Sequence, residues 1–96
     1  MTAFFIATTT VKDMEKFQDY AGKAAQTFAP FGGELVIRGT ADQTLAGASN
    51  HQAVGVVRFP DMEALEAWYR SPDYQALVPL RDDAAHMTIT TYQESA

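Results

Sequence analysis

Two segments of this chain, residues 3–11 and 51–59, are apolar on both faces of the β-strand that each is expected to form. Val56 and Val57, for example, lie on opposite faces of the second strand, because side chains alternate along a strand. A strand with one face in water carries polar residues on that face, so we expect both of these strands to be covered on both sides. Gly55, in the middle of the second strand, would let a ligand or another backbone approach closely.

Helices and two further strands are predicted between and after these two segments. The predicted order is strand 3–11, helix 13–28, strand 34–38, a connection at 39–50, strand 51–59, helix 61–84 and strand 87–92. The first helix has an apolar stripe made of Met14, Phe17, Ala21, Ala24 and Phe28. This order predicts an α+β, ferredoxin-like βαββαβ fold, a four-stranded antiparallel sheet with the helices on one face. A second copy is the simplest cover for the other face, so we expect a homodimer whose sheets form an α/β barrel.

The second helical region contains a corner at Ser71-Pro72. Asp61 is expected to cap the first helical piece, and Ser71 the second, with Pro72 at its first position. Pro79 predicts a further kink, because proline removes one backbone hydrogen bond. The corner carries the aromatic residues Trp68, Tyr69 and Tyr74.

Composition excludes several classes of function. The chain has 96 residues, which indicates one domain, and a net charge of −5, which argues against nucleic acid as a partner. Its seven Lys and Arg are scattered, and no apolar run is long enough to span a membrane. Residues 1–6 lack the basic start of a signal peptide, so a cytoplasmic protein is expected.

The residues for common cofactor and nucleophile chemistry are missing. There is no cysteine, no Gly-x-Ser-x-Gly motif and no phosphate-binding glycine loop. Asp82 and His86 would share a helical face, but one carboxylate and one imidazole are too few for a metal site. We therefore expect neither a metal nor a cofactor.

Several short motifs resemble the domain-of-unknown-function family 1330, within the dimeric α/β-barrel superfamily. They are Gly32-Gly33, Arg38-Gly39, Phe59-Pro60 and the run Ala67-Trp68-Tyr69-Arg70-Ser71-Pro72-Asp73-Tyr74. The resemblance spans nearly the whole chain and implies the fold and a dimer, but no established reaction. Superfamily relatives include cofactor-independent monooxygenases, small isomerases and haem enzymes. The chain departs from the family pattern at Thr40, where a second glycine is usual, and at Arg58, where an acidic residue is usual.

The candidate substrate-binding residues are Trp68, Tyr69, Tyr74, Arg38, His51 and Arg81. The aromatic residues either form one wall of a small apolar pocket or close the core at the helix corner. The two arginines either supply polarity to that pocket or lie at the surface. Arg38 should share a strand face with Val36, and the connection 39–50 should place Arg38 near His51 at one end of the sheet.

Two functions remain open. One is a small-molecule-binding or structural module without chemistry of its own. The alternative is a cofactor-independent enzyme, monooxygenase- or isomerase-like, that acts on a small apolar or aromatic substrate. In that enzyme His51 would be the catalytic base, and Arg38 or a tyrosine would stabilise negative charge. A filled space around Trp68 and Tyr74 favours the module, and a cavity that touches His51 or Arg38 favours the enzyme.

Overall fold

The computed structural model describes residues 1–95, and its elements follow the predicted order. They are β1 (Ala3–Val11), α1 (Met14–Phe28), β2 (Glu34–Thr40), β3 (Ala53–Phe59), α2 (Met62–Arg70), α3 (Pro72–Gln75), α4 (Val78–Ala84) and β4 (Ala85–Gln93). None of the helices in this part of the chain has both the length and the apolar character needed to cross a bilayer.

The four strands form one antiparallel sheet in the order β2-β3-β1-β4. β1 lies in the interior and pairs with both neighbours, so that Ala3 lies opposite Phe59 on one side and Gln93 on the other. This topology is the predicted ferredoxin-like α+β fold.

The helices pack on one face of the sheet, where the core lies. Phe5 and Val57 come from the sheet, while Leu65 and Trp68 come from α2, and all four are buried. The rings of Phe5 and Trp68 stack with centroids 5.0 Å apart. The predicted arrangement, with helices on a single face, is confirmed.

The opposite side of the sheet, which we call the open face, remains apolar. By strand register it carries Phe4, Ile6, Ile37, Val54, Val56 and Tyr92. Phe4 and Tyr92 stack with centroids 5.2 Å apart. Ile37 is 64% exposed and Tyr92 is 42% exposed, so this face presents a connected apolar surface to solvent.

The helix corner forms as predicted, but the break near Pro79 does not lie where we expected it. The Ser71 hydroxyl donates to the carbonyl oxygen of Trp68 at 2.7 Å and accepts from the Tyr74 amide at 3.3 Å. The next break comes at 76–77, before the proline, and α4 then begins at Val78. Pro79 therefore occupies the first turn of a new helix, where its missing N–H costs no hydrogen bond.

The buried side of α1 also differs from the predicted stripe. Met14 is 57% exposed, whereas Tyr20 and Thr27 are buried. Both buried residues have polar partners on the other helical region: Thr27 Oγ1 accepts from Trp68 Nε1, and the Tyr20 hydroxyl bonds the Tyr74 hydroxyl, each at 2.8 Å. The rest of the predicted stripe is at least partly buried, so the prediction was wrong at Met14 alone and missed the two residues whose polar partners an apolar pattern does not reveal.

Candidate functional site

A cavity of about 450 Å³ lies between α1 and the helix-facing side of the sheet. One row of its floor runs across all four strands in register: Ile89 on β4, Ala7 on β1, Gly55 on β3 and Arg38 on β2. α1 forms the roof.

The cavity exists because small residues face each other across it. Ala7, Ala53 and Gly55 lie in the floor, and Ala21 and Ala24 lie in the roof. A Cβ atom added to Gly55 would meet no other atom within 4 Å. The glycine thus borders free space, and its role as a point of close approach for a ligand stays a prediction.

Arg38 reaches this cavity because of a β-bulge. The register shifts between Leu35, which lies opposite Val57, and Ile37, which lies opposite Val56. Such a bulge places two residues of one strand against one residue of the other. Arg38 therefore shares the helix-facing side with Leu35, while Val36 is the residue without a partner in the ladder. Among residues 1–95, no carboxylate forms a salt bridge with Arg38.

A buried chain of hydroxyl groups adjoins the cavity. Arg81 Nη1 donates to the Tyr74 hydroxyl at 3.1 Å, and that hydroxyl lies 2.8 Å from the hydroxyl of Tyr20. Tyr20 lines the cavity and also donates to Met87 Sδ, 4.0 Å away. Arg81 makes a separate bond to the Tyr69 hydroxyl at 3.3 Å.

Burial and neighbouring hydroxyls govern the protonation of this chain. Burial raises the pKa of Tyr20 well above its ordinary value, and the neighbouring Tyr74 hydroxyl raises that pKa further. Burial works against the charge of Arg81, but its hydrogen bonds to Tyr69 and Tyr74 outweigh burial and raise its pKa. At neutral pH Tyr20 is therefore a neutral donor, and Arg81 is a cation.

His51 lies away from the cavity. It precedes β3, which begins at Ala53, and its Nδ1 is 3.0 Å from Thr10 Oγ1, while its Nε2 is 3.3 Å from Thr88 Oγ1. Thr10 donates its only hydroxyl hydrogen to the Asn50 carbonyl, so His51 Nδ1 carries the hydrogen of their shared bond.

The predicted proximity of Arg38 and His51 is wrong. Thr10 and Thr88 lie on the open face, whereas Arg38 lies on the helix-facing side. The reason is that the segment before β3 lies between the β2 side and β1: Gln52 accepts from the Ala41 amide at 2.6 Å and donates to the carbonyl oxygen of Thr9 at 3.0 Å. The His51 side chain is directed to the β1 and β4 side, away from β2.

The aromatic corner is filled with side chains. Trp68 is 1% exposed, Tyr74 is completely buried, and their ring centroids are 4.4 Å apart. Neither residue lines the cavity, nor does Tyr69, which lies partly exposed beside them. Their proposed role in substrate binding stays a prediction, and their packing indicates a role in the core.

Of the six predicted binding residues, only Arg38 lines the cavity. Tyr74 and Arg81 approach it through Tyr20, which the sequence prediction missed. Tyr20 lies three residues after Phe17 and four before Ala24, a helical spacing that would have placed it on the buried face. Within residues 1–95, no three His, Asp or Glu side chains come close enough to hold a metal ion.

The family model for a domain of unknown function, DUF1330, matches residues 2–94. The chain belongs to this family. The predicted resemblance is thereby confirmed, and the DUF1330 description assigns no reaction. No curated protein matches the sequence significantly.

Solved structures with the same fold share little sequence with this DUF1330 protein. A protein of unknown function from Rhodopseudomonas palustris has a TM-score of 0.83 at 17% identity, covering 99% of this chain and 83% of its own. SnoaB from Streptomyces nogalater, a cofactor-independent oxygenase, has a TM-score of 0.73 at 14% identity, covering 99% of this chain and 94% of its own. A dimeric ferredoxin-like protein of unknown function from Jannaschia sp. CCS1 has a TM-score of 0.74 at 12% identity, covering 98% of this chain and 100% of its own.

Proposed function

We propose that this DUF1330 protein is a small homodimeric module that binds a small apolar or aromatic molecule in the cavity beneath α1. The ligand carries an anionic group that pairs with Arg38. The cavity itself carries this proposal, since about 450 Å³ of free space lies between largely apolar walls and opens to solvent beside Arg38. Ligand pockets are typically of roughly 300–1,000 Å³ and apolar, with a few placed polar groups.

Thermal-shift measurements with small aromatic carboxylates, such as benzoate and 1-naphthoate, test the proposal. Gly55→Val adds a branched side chain to the cavity floor and is expected to abolish the shift. Thr8→Val is the matched control, because Thr8 lies on the neighbouring strand and by register on the open face. Absence of any shift in the wild type, or an equal shift in Gly55→Val, would contradict binding in this cavity.

The role of Arg38 is tested with its own control. Arg38→Ala should leave stability nearly unchanged, because the residue is exposed, and should remove the shift by carboxylates but not by the matching uncharged amides. Arg70→Ala removes an arginine whose side chain is 78% exposed and should leave both shifts intact. If the arginine variants behave alike, Arg38 is not the anion-binding group.

The homodimer is proposed to form through the open face, whose apolar side chains a second copy would bury. The Jannaschia protein of the same fold is dimeric, which supports this arrangement. Light scattering at micromolar concentration should give the mass of two chains. Val56→Glu on the open face should give the mass of one chain, whereas Leu45→Glu, on an 88% exposed loop residue, should remain a dimer. A monomeric wild type would refute the dimer.

The alternative is a cofactor-independent enzyme acting on the same class of molecule. Its support is that the Tyr20 and Arg38 side chains line one cavity, where both would stabilise developing negative charge, together with the fold shared with SnoaB. Mass spectrometry of naphthols and enolisable aryl ketones incubated with the protein under air should then show turnover that Gly55→Val abolishes. Turnover that persists in this variant would exclude the cavity as the site of the reaction.

A further inference from the structure

Arg81 reaches the cavity only through two tyrosine hydroxyls. Its guanidinium is a donor without an acceptor atom, so the Tyr74 oxygen must accept the bond between them. Tyr20, 2.8 Å away, is the acceptor that the Tyr74 hydrogen can reach, so we assign Tyr74 as the donor of their shared bond. Tyr20 in turn has its own hydrogen to donate, and its acceptor is the sulfur of Met87.

This last partner is weak. A thioether sulfur is a poor acceptor, and the distance from the Tyr20 hydroxyl to Met87 Sδ is 4.0 Å. Both residues line the cavity, so this weak contact is formed between two of its wall residues. An oxygen atom of a ligand would be a much better acceptor than the sulfur.

We propose that the Tyr20 hydroxyl, oriented by Arg81 through Tyr74, is the hydrogen-bond donor of the cavity and selects ligands that present an anionic oxygen, such as a phenolate or an enolate. The inference rests on the proposed function, because it requires a ligand in the cavity. A donor that is itself bonded to a cationic chain stabilises an anionic acceptor more than a neutral one. Arg81 and Tyr74 are thus positioning residues for Tyr20.

Few charged groups surround this donor. Tyr74, Tyr69 and Arg81 are the titratable groups that act on Tyr20. Arg38, on β2, is the charged residue that lines the cavity. No carboxylate of residues 1–95 lines the cavity to oppose a bound anion.

The ionisation of bound 4-nitrophenol measures the effect directly. The phenolate of this probe absorbs in the visible range, so its protonation is read by titrating the dye in the presence of excess protein. We expect the bound phenol to ionise about one pH unit below the free dye, at the low end of the shift that a nearby opposite charge produces. 4-Nitrotoluene has the same ring without the hydroxyl, and it reports on cavity binding alone by competition.

Five variants separate the donor from its surroundings. Tyr20→Phe keeps the ring but removes the hydroxyl, and Tyr74→Phe breaks the chain between Arg81 and Tyr20. Both should reduce the shift by at least half while 4-nitrotoluene still binds. Tyr69→Phe is the matched control, since it removes a hydroxyl bonded to Arg81 that does not lead to the cavity. Arg81→Lys keeps a cation at this position, so it should retain more of the shift in dye ionisation than Arg81→Met does.

The outcomes distinguish this inference from the function on which it rests. If neither probe binds to the wild type, both are refuted. If both probes bind but the phenol ionises as it does in water, the cavity binds ligands and the inference is wrong. It is also wrong if Tyr69→Phe lowers the shift as much as Tyr74→Phe, because the chain of hydroxyls then has no special role.

Discussion

Replacing Trp68 with alanine tests whether the aromatic corner is core or binding surface. Trp68 is 1% exposed and contacts the rings of Phe5, Phe28, Phe59 and Tyr74 at centroid distances of 4.4–5.5 Å. Truncating a buried aromatic residue in such a setting costs about 3–5 kcal/mol. Since domains of this size unfold with about 5–15 kcal/mol, the variant should lose a large part of its stability.

A second substitution isolates the polar contact of the indole. Trp68 Nε1 donates to Thr27 Oγ1 at 2.8 Å. Thr27→Val keeps the shape of the side chain but leaves the buried N–H without a partner, which should cost about 1–3 kcal/mol. Together the two variants separate the packing of the ring from its hydrogen bond.

Urea titration followed by circular dichroism measures both changes without relying on tryptophan fluorescence. Protein concentration must be held constant, because the proposed dimer would make stability depend on it. In a thermal scan, Trp68→Ala should lower the Tm by about 12 °C or more. A loss below about 1 kcal/mol, close to that of surface substitutions, would show that the indole is a ligand-binding group and would refute the assignment to the core.

Other stability changes follow from the same structure. Ser71→Ala removes the cap of α3 and should cost about 0.5–2 kcal/mol by urea titration, and an unchanged midpoint would contradict the cap. Gly33→Ala would place its Cβ 2.5 Å from the buried Phe59 ring and should cost about 1–3 kcal/mol. Gly22→Ala meets nothing within 4 Å on an exposed helix position and should stabilise by about 0.8–1 kcal/mol. If Gly33→Ala and Gly22→Ala changed the free energy of unfolding equally, the clash between the Cβ at position 33 and the Phe59 ring would have been relieved in the folded variant.

The fold was predictable because its signals are local. Uninterrupted apolar runs identified the strands, and Asp61 and Ser71 identified two helix starts that the structure confirms through bonds to the amides of Ala64 and Tyr74. Pro79 was misjudged because proline is compatible with both a kink and a first turn, and only the surrounding packing decides between them.

The site was less predictable because it depends on distant pairs. Tyr20 and Tyr74 are 54 positions apart, and only the folded chain brings their hydroxyls together. The cavity is similarly defined by alanine and glycine, residues whose small size carries no chemical signal in a sequence. His51 was misplaced because the path of a long connection is not encoded in its composition.

The bulge in β2 has a consequence for how related chains diverge. Val36 is the extra residue. Because of it, each later residue of β2 faces the side of the sheet opposite to the one it would face if Val36 were paired. If the bulge were lost and Val36 instead paired with Val56, Ile37 would lie opposite Gly55 and Arg38 opposite Val54, on the open face. The cavity would then lose its charged side chain, and a positive charge would enter the surface proposed for dimerisation. One bulge in an edge strand therefore links ligand charge to assembly.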